Sequence, residues 1–481
     1  MNFNSIEFII FYPIVLLLYF ILPKVMKWPM LLIASYFFYM CYNPSLVVLI
    51  LGTTLVSWIC AKFMEKTESK PLRRTLLALT LITSLGVLFF YKYFDFLSLS
   101  FNSVFMPTSD PVLLNLVLPV GISFYTFQTL SYVIDVYRGD VKTEDNFFFY
   151  ALFVSFFPQL VAGPIERPGN LIPQLKEPKK FNSSDAVKGA KHMIVGFFKK
   201  ICVADMISEV VDSVYNAPEG ATSLAVVIAT LLFAVQIYCD FSGYTDIAIG
   251  CARIMDIRLM KNFDHPYTAT SIKEFWARWH ISLSTWFRDY LYIPLGGSRC
   301  AKWRHLTNLM IIFLVSGIWH GAAWTFVLWG AIHGIYRVVG EITSKPRERL
   351  LSSVGISSDH IAVKCIRTVI TFILVCGAWV VFRANSVADV ATLFTTLFSF
   401  SGGFTETFSL MGIDLYRALL IGISIITLLL LDRVLVYGDE KDNSSVITKN
   451  GAFIYFVWAI AISWLLLLSR DMVSSFIYFR F

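Results

Sequence analysis

Residues 306–339 read LTNLMIIFLVSGIWHGAAWTFVLWGAIHGIYRVV. This stretch is apolar enough to lie in lipid, yet it carries an imidazole, His320, near its middle, and an ionisable residue at membrane depth indicates function. We expect the ring to be neutral in such surroundings and therefore able to accept a proton. The run is also long for a single membrane span. Gly317 and Gly321 lie beside His320 and predict a bend into two helical arms that meet at the histidine.

The composition places the whole chain in a membrane. Of its 481 residues, 57% are hydrophobic, 16% aromatic and only 15% charged, and the mean hydropathy is +0.66, which excludes a soluble globular domain of this length. Because a backbone in lipid must satisfy its own hydrogen bonds, the spans are predicted to be helices. Besides the central run, we predict spans at about 6–22, 29–44, 46–63, 75–95, 116–137, 191–215, 222–250, 368–384, 417–436 and 451–469.

Several other classes of site lack their sequence patterns. The eight cysteines are scattered without CxxC spacing, which indicates buried hydrophobic side chains and neither a disulfide framework nor a zinc site. The net charge of +7 is not gathered into a basic cluster interleaved with aromatics, so we expect no nucleic-acid partner. The chain has no GxGxxG, Walker or HExxH motif, so neither a nucleotide-driven pump nor a metal centre is expected.

The basic residues predict the orientation in the membrane. If the N-terminus lies outside and the central run is a hairpin, 31 of the 40 lysines and arginines fall in segments assigned to the cytoplasm. Only Lys92, Arg470 and Arg480 fall outside. Both termini are therefore predicted to face away from the cytoplasm, and residues 341–361 are predicted to form a linker.

Residues 271–294 form a second apolar segment, which we predict to be one amphipathic helix at the inner membrane surface. At 100° per residue its apolar face carries Phe275, Trp276, Trp279, His280, Leu283, Trp286, Phe287 and Tyr290. His280 on that face fits either a functional residue or an interface histidine whose ring reaches between lipid and water. His333, nearer the end of the central run, is better explained as a satisfied core or interface histidine.

Carboxylates within predicted spans leave two interpretations open. Asp240 and Asp246 lie six residues apart in one span, and Asp135 and Asp289 are similar cases. They could form an acid and base pair or a proton relay. The more general explanation is that each accepts hydrogen bonds that join neighbouring helices.

Five motifs carry a resemblance to a known family. They read RWHISLSTWFRDYLYIPLGG at 278–297, GIWHG at 317–321, LPVGISFYTFQ at 118–128, GPIER at 163–167 and DFSGYTD at 240–246. Together they resemble the membrane-bound O-acyltransferase (MBOAT) family, and within it the bacterial branch that O-acetylates alginate. The likeness is close up to about residue 340 and looser beyond it.

The resemblance implies a single transmembrane domain over 1–481, with a catalytic region at about 118–340. It implies a ring of about 11–12 transmembrane helices with re-entrant or interfacial helices around a central channel, whose two funnels meet at His320. His320 is then the catalytic base, and His280 orients or polarises a thioester. From the same motifs we expect substrate to contact Trp319, Trp279, Arg278, Trp286, Asp289 and Asp240.

The resemblance also implies reactants and partners. It implies acetyl-CoA as a co-substrate from the cytoplasm, with no permanently bound cofactor. Acetyl groups would pass to an exported polysaccharide through an extracytoplasmic esterase-like (SGNH-type) partner and the polysaccharide synthesis machinery. The implied location is the bacterial inner membrane, in contact with its lipid.

The C-terminal sequence FIYFRF at 476–481 is similar to the aromatic tail of the small partner protein in teichoic acid D-alanylation. That similarity implies that Tyr478 is acetylated as a relay, whereas an aromatic anchor at the outer interface is the general alternative. Two other functions stay open. One is a flippase for a lipid-linked glycan, lined by Asp135, Asp240 and Asp246, and the other is D-alanyl transfer to teichoic acid.

Overall fold

The computed structural model describes residues 1–161, 163–177, 179–439 and 451–468. Every regular element in these residues is helical. The chain divides into two compact units, of which the first comprises Met1–Phe197 and Tyr244–Met260. The second comprises Phe198–Gly243 and the described residues from Lys261 onward.

The described residues of the first unit form ten α-helices. The last part of a longer helix, Ser223–Ile254, also belongs to this unit. The ten are α1 Ile6–Ile21, α2 Lys24–Met40, α3 Val47–Lys66, α4 Lys70–Leu88, α5 Phe94–Phe105, α6 Ile122–Arg138, α7 Phe147–Ser155, α8 Phe157–Leu160, α9 Pro168–Lys176 and α10 Ser183–Phe197. A π-helical turn, Phe89–Tyr93, joins α4 to α5 into one continuous rod. Gly121 starts α6 at φ +73, where a Cβ atom would lie 2.4 Å from the carbonyl oxygen of Leu160, so only glycine fits.

The second unit holds the central run and the remaining helices. They are α11 Met206–Tyr215, α12 Ser223–Ile254, α13 Ile272–Arg278, α14 Ile281–Phe287, α15 Lys302–His320, α16 Trp324–Ser353, α17 Ile361–Arg383, α18 Val387–Ser399, α19 Phe404–Leu410, α20 Leu415–Asp439 and α21 Gly451–Leu468. The end of α12, from Tyr244, belongs to the first unit. Further π-helical turns cover Phe198–Asp205 and Arg288–Tyr292, and short 3₁₀ turns cover Pro44–Leu46, Pro218–Gly220 and Pro266–Thr268.

Among the described residues, five helical stretches are long and apolar enough to cross a membrane. They are Pro44–Lys66, Lys70–Phe105, Ser223–Ile254, Ile361–Arg383 and Leu415–Asp432. An all-helical polytopic membrane protein is thereby confirmed. Two predicted spans differ in detail, because residues 116–121 are not helical and residues 191–215 are interrupted by a π-helical turn.

The bend predicted in the central run is confirmed, but only one of the two glycines makes it. Helix α15 ends at His320, Gly321 is extended at φ −165, and α16 begins at Trp324. Gly317 instead lies where α15 crosses α16, and a Cβ atom there would be 2.3 Å from the carbonyl oxygen of Phe326. Gly330 makes the reciprocal approach from α16, so the pair sets how closely the two arms pack.

Two sequence predictions for the loops are wrong. Residues 271–294 do not form one helix, because His280 adopts the left-handed φ of +45 between α13 and α14. At the break, backbone groups bond to the preceding loop instead of within a helix. The nitrogen of Asp264 donates to the oxygen of Arg278, and the nitrogen of Ile281 donates to the oxygen of Asn262. The predicted linker at 341–361 is also mostly helical, since α16 continues to Ser353.

Candidate active site

His320 ends α15 inside a set of aromatic rings that we call the aromatic cluster, namely Trp319, Trp329 and Phe382. The ring centroids lie 5.0, 5.0 and 5.6 Å from that of the imidazole, each at 79° to 87° to its plane. The residue is only 3% exposed. The resemblance implies a histidine that is open to both faces, whereas the structure shows an imidazole that is almost completely buried.

Trp329 of α16 connects the aromatic cluster to the core of the second unit. Its ring centroid lies 4.9 Å from that of His333 and 5.6 Å from that of Trp276. His333 is fully buried, and its Nδ1 accepts a hydrogen bond of 3.2 Å from Nε1 of Trp276. The sequence favours a satisfied core or interface histidine; the structure places His333 in the core, with a hydrogen bond to Nδ1.

His280 lies at the break between α13 and α14 and is fully buried. Its ring centroid is 6.0 Å from that of Trp319 and 4.6 Å from that of Phe241, which meets it edge-on. The residue lies outside the candidate membrane spans, and burial lowers the pKa of its imidazole well below the ordinary value. Trp319 therefore contacts both predicted histidines, and His280 is neutral at physiological pH.

Asn262 was not predicted by any sequence signal. It is 1% exposed, and its side-chain oxygen lies 3.1 Å from Nδ1 of His280. The same oxygen accepts hydrogen bonds from the backbone nitrogen and the hydroxyl of Ser282. A single asparagine in a loop has no spacing or periodicity that distinguishes it, so only the folded chain identifies this contact.

Two of the residues expected to contact substrate join the aromatic packing around the histidines. Trp319 is described above. Trp279 is 1% exposed and stacks on Phe275 with ring centroids 5.5 Å apart, and the ring of Trp379 lies 5.2 Å from it. Arg278, the neighbour of Trp279, is half-exposed.

The other expected substrate contacts are engaged within the protein. Arg278 donates to Glu274 at 2.6 Å, one helical turn earlier. Trp286 is buried against Tyr290, with ring centroids 5.0 Å apart. Asp289 accepts from Nε of Arg288 at 2.8 Å.

Asp240 belongs to a buried ion cluster that the sequence analysis did not find. Nζ of Lys200, in the π-helical turn, lies 2.6 Å from Asp240 and 2.9 Å from Asp205. All three residues are at most 3% exposed. The next residue, Phe241, packs on His280. The interpretation of Asp240 as a side chain that joins neighbouring helical segments therefore agrees with its contacts.

The predicted relay is not part of the described structure. Tyr478 and the rest of the tail at 474–481 are outside the described residues. Within the described part of the chain, no group of three or more His, Cys, Asp or Glu side chains is arranged to hold a metal ion.

Comparison with known proteins gives one family. The profile of the membrane-bound O-acyltransferase family, MBOAT, matches residues 142–349. The chain is 37% identical over 447 residues to the probable alginate O-acetylase AlgI of Pseudomonas syringae pv. tomato, covering 92% of this chain and 82% of that protein. It is 34% identical over 433 residues to the peptidoglycan O-acetyltransferase of Helicobacter pylori, covering 83% and 80%. The teichoic acid D-alanyltransferase of Bacillus subtilis is 30% identical over 235 residues, covering 46% and 58%.

Proposed function

The chain belongs to the membrane-bound O-acyltransferase family and is an O-acyltransferase, and from this premise we propose that it transfers acetyl groups from cytoplasmic acetyl-CoA to an extracytoplasmic polysaccharide. The relatives named as alginate and peptidoglycan O-acetylating enzymes support acetyl as the acyl group and a polysaccharide as the final acceptor. The proposed location is the bacterial inner membrane, with both termini outside the cytoplasm. The asymmetric distribution of basic residues supports that orientation.

One observation carries the assignment of His320 as the base. His320 and His280, from two separate motifs, both contact the ring of Trp319 within the second unit. His320 is also only 3% exposed, and exclusion of water from the base would protect a thioester and an acyl intermediate from hydrolysis. A base for acyl transfer must reach its substrate's proton and exclude water as a competing nucleophile.

The chemistry of the step follows from a neutral His320. The imidazole takes the proton of an acceptor hydroxyl as its oxygen attacks the thioester carbonyl carbon. A carbon–oxygen bond forms and the carbon–sulfur bond breaks. The departing thiolate takes the proton back from the imidazolium, so the products are an acetyl ester and free CoA thiol, and the histidine is neutral again.

The proposed first acceptor is Tyr478. A phenol has a pKa of about 10 and needs a base at neutral pH, whereas its ester is a good acyl donor. The acetyl group would then pass to the serine of an extracytoplasmic esterase-like (SGNH-type) partner, which works with the polysaccharide synthesis machinery. In that second step the serine oxygen attacks the acetyl carbonyl carbon and the bond from that carbon to the tyrosine oxygen breaks. The proton lost by the serine hydroxyl ends on the tyrosine oxygen.

Replacing His320 by alanine tests the base. We expect His320→Ala to abolish acetylation of the polymer in cells while the protein remains in the membrane at its normal level. A matched control is His360→Ser, which removes an exposed imidazole from the start of α17 and keeps an oxygen that can cap the helix. Full acetylation by His320→Ala at normal protein level would end the proposal.

Replacing Tyr478 by phenylalanine tests the relay separately. The change removes one oxygen and keeps the ring, so an anchoring tail would still work. We expect Tyr478→Phe to lose acetylation, and we expect mass spectrometry after incubation with labelled acetyl-CoA to find the label on the C-terminal peptide of the unmodified chain. Normal acetylation by Tyr478→Phe would reduce the tail to an anchor.

The two alternatives have less support. A flippase path lined by Asp135, Asp240 and Asp246 is disfavoured because the carboxylate of Asp240 forms an ion pair with Lys200. D-alanyl transfer is disfavoured because the aromatic tail belongs to this chain itself.

A further inference from the structure

The oxygen of the Asn262 side chain is surrounded by donors from the break between α13 and α14. It lies 3.1 Å from the backbone nitrogen of Ser282 and 2.9 Å from the Ser282 hydroxyl. It lies 3.1 Å from Nδ1 of His280. The backbone oxygen of Asn262 also accepts from the nitrogen of Ile281 at 2.9 Å, so the asparagine holds the start of α14 through both its side chain and its backbone.

These contacts fix which nitrogen of His280 carries the proton. The backbone N–H of Ser282 can only donate, so the Asn262 atom that faces it is the oxygen and not the amide nitrogen. An oxygen only accepts, and therefore Nδ1 of His280 at 3.1 Å must be the donor. A neutral imidazole has a single N–H group, which leaves Nε2 as an acceptor. Full burial keeps the ring neutral.

We propose that Asn262 is a positioning residue that holds His280 as the Nδ1–H tautomer, so that Nε2 can act only as a hydrogen-bond acceptor toward the acyl donor. The inference rests on the proposed function. It changes the role expected for His280, because polarising a thioester carbonyl requires an N–H donor at Nε2. An acceptor at Nε2 orients the acyl donor and leaves carbonyl polarisation to other groups.

A merely structural role makes a different prediction. If the contact between Asn262 and His280 only braces the break, then the Nδ1 side of the ring matters and Nε2 does not. Two amide side chains separate these cases, because an asparagine amide reaches about as far as Nδ1 and a glutamine amide reaches about as far as Nε2. His280→Asn therefore retains a partner for Asn262, whereas His280→Gln retains an acceptor at the Nε2 position.

The kinetic test compares these two variants of the full-length protein in membranes, normalised to the amount of protein. We expect His280→Gln to stay within about fivefold of the unmodified KM for acetyl-CoA. We expect His280→Asn to raise that KM by about tenfold or more with a smaller change in kcat, because one hydrogen bond to the donor is lost. The inference is wrong if His280→Asn performs as well as His280→Gln or better.

A spectroscopic test reads the tautomer directly and does not depend on activity. The chain has seven histidines, and nitrogen-15 spectra of the labelled protein compared with those of His280→Gln identify the signals of His280. We expect a protonated Nδ1 and a bare Nε2, and we expect Asn262→Ala to lose this preference. A protonated Nε2 in the unmodified protein would overturn the inference.

The two proposals fail in different ways. Retained acetyl transfer by His320→Ala refutes the proposed function whatever His280 does. Loss of transfer by His320→Ala, together with a protonated Nε2 on His280, refutes only the tautomer inference.

Discussion

The close crossing of α15 and α16 at Gly317 should be intolerant of a single methyl group. A Cβ atom on Gly317 would lie 2.3 Å from the carbonyl oxygen of Phe326, whereas ordinary contacts begin at 3.4 Å. The obstacle is backbone, which cannot rotate away, so the two helices must separate by about 1 Å. Such overpacking costs about 1–3 kcal/mol of folding free energy.

The same shift should disturb the site. His320 lies one turn beyond Gly317 on α15, and Trp329, on α16, packs against it with ring centroids 5.0 Å apart. A displacement of about 1 Å at a reacting group can cost about 10²-fold in rate. We therefore expect Gly317→Ala to lose about ten- to a hundredfold in acetyl transfer.

The assay measures transfer from labelled acetyl-CoA and the thermal unfolding of the purified protein. Gly422→Ala in α20 is the matched control, because no atom lies within 4 Å of a Cβ atom added there. Alanine is favoured over glycine within a helix by about 0.5–1 kcal/mol, so this control should be as stable as the unmodified protein or more so. Wild-type activity and stability in Gly317→Ala would refute the reasoning that this crossing positions the histidine.

Two further predictions concern buried charge. Lys200→Met removes the cation that contacts Asp205 and Asp240, and should lower the unfolding free energy by about 3–5 kcal/mol. Adding Asp240→Asn should recover part of this loss, because one uncompensated carboxylate is removed. An unchanged denaturant midpoint of Lys200→Met would contradict this. Burial lowers the pKa of the His280 imidazole in the folded state, whereas the imidazole of the unfolded chain has a pKa of about 6.5. Above about pH 6.5 the neutral ring therefore costs no stability. Below it, the unfolded chain takes up a proton that the folded chain does not, and the unfolding free energy falls by up to about 1.4 kcal/mol per pH unit. His280→Gln should show a shallower loss of thermal stability between pH 7 and 5, and parallel curves would count against a neutral buried ring.

The hairpin at His320 could be predicted because its signals are local. A run too long for one span, with glycine directly after the histidine, indicates a bend without knowledge of any partner. The role of Gly317 could not be assigned in the same way. Its backbone neighbour is Phe326, on the opposite arm, and the sequence does not say which faces of the two arms meet.

The segment around His280 shows how a wrong helix can still predict a correct buried face. Every residue placed on the apolar face from Phe275 to Phe287 is buried, although the helix breaks at His280. Hydropathy indicates which side chains avoid water, and those side chains are buried whether or not the helix is continuous. The break itself depends on backbone hydrogen bonds with Asn262, which accepts from Ile281, and with Asp264, which donates to Arg278. Both partners lie more than a dozen residues earlier, and periodicity does not record them.

The enclosure of His320 bears on which acceptor takes the acetyl group first. A polysaccharide hydroxyl belongs to a hydrated sugar chain, which would lose water on approaching His320. The rings of Trp319, Trp329 and Phe382 around His320 are apolar surfaces that do not replace the lost hydrogen bonds to water. Removing polar groups from water without new hydrogen bonds is unfavourable, whereas burying an aromatic ring among other rings is favourable. An acceptor whose hydroxyl is carried on an aromatic ring therefore fits this enclosure better than a sugar does. The surroundings of the base thus favour an aromatic relay such as Tyr478 over direct transfer to the glycan.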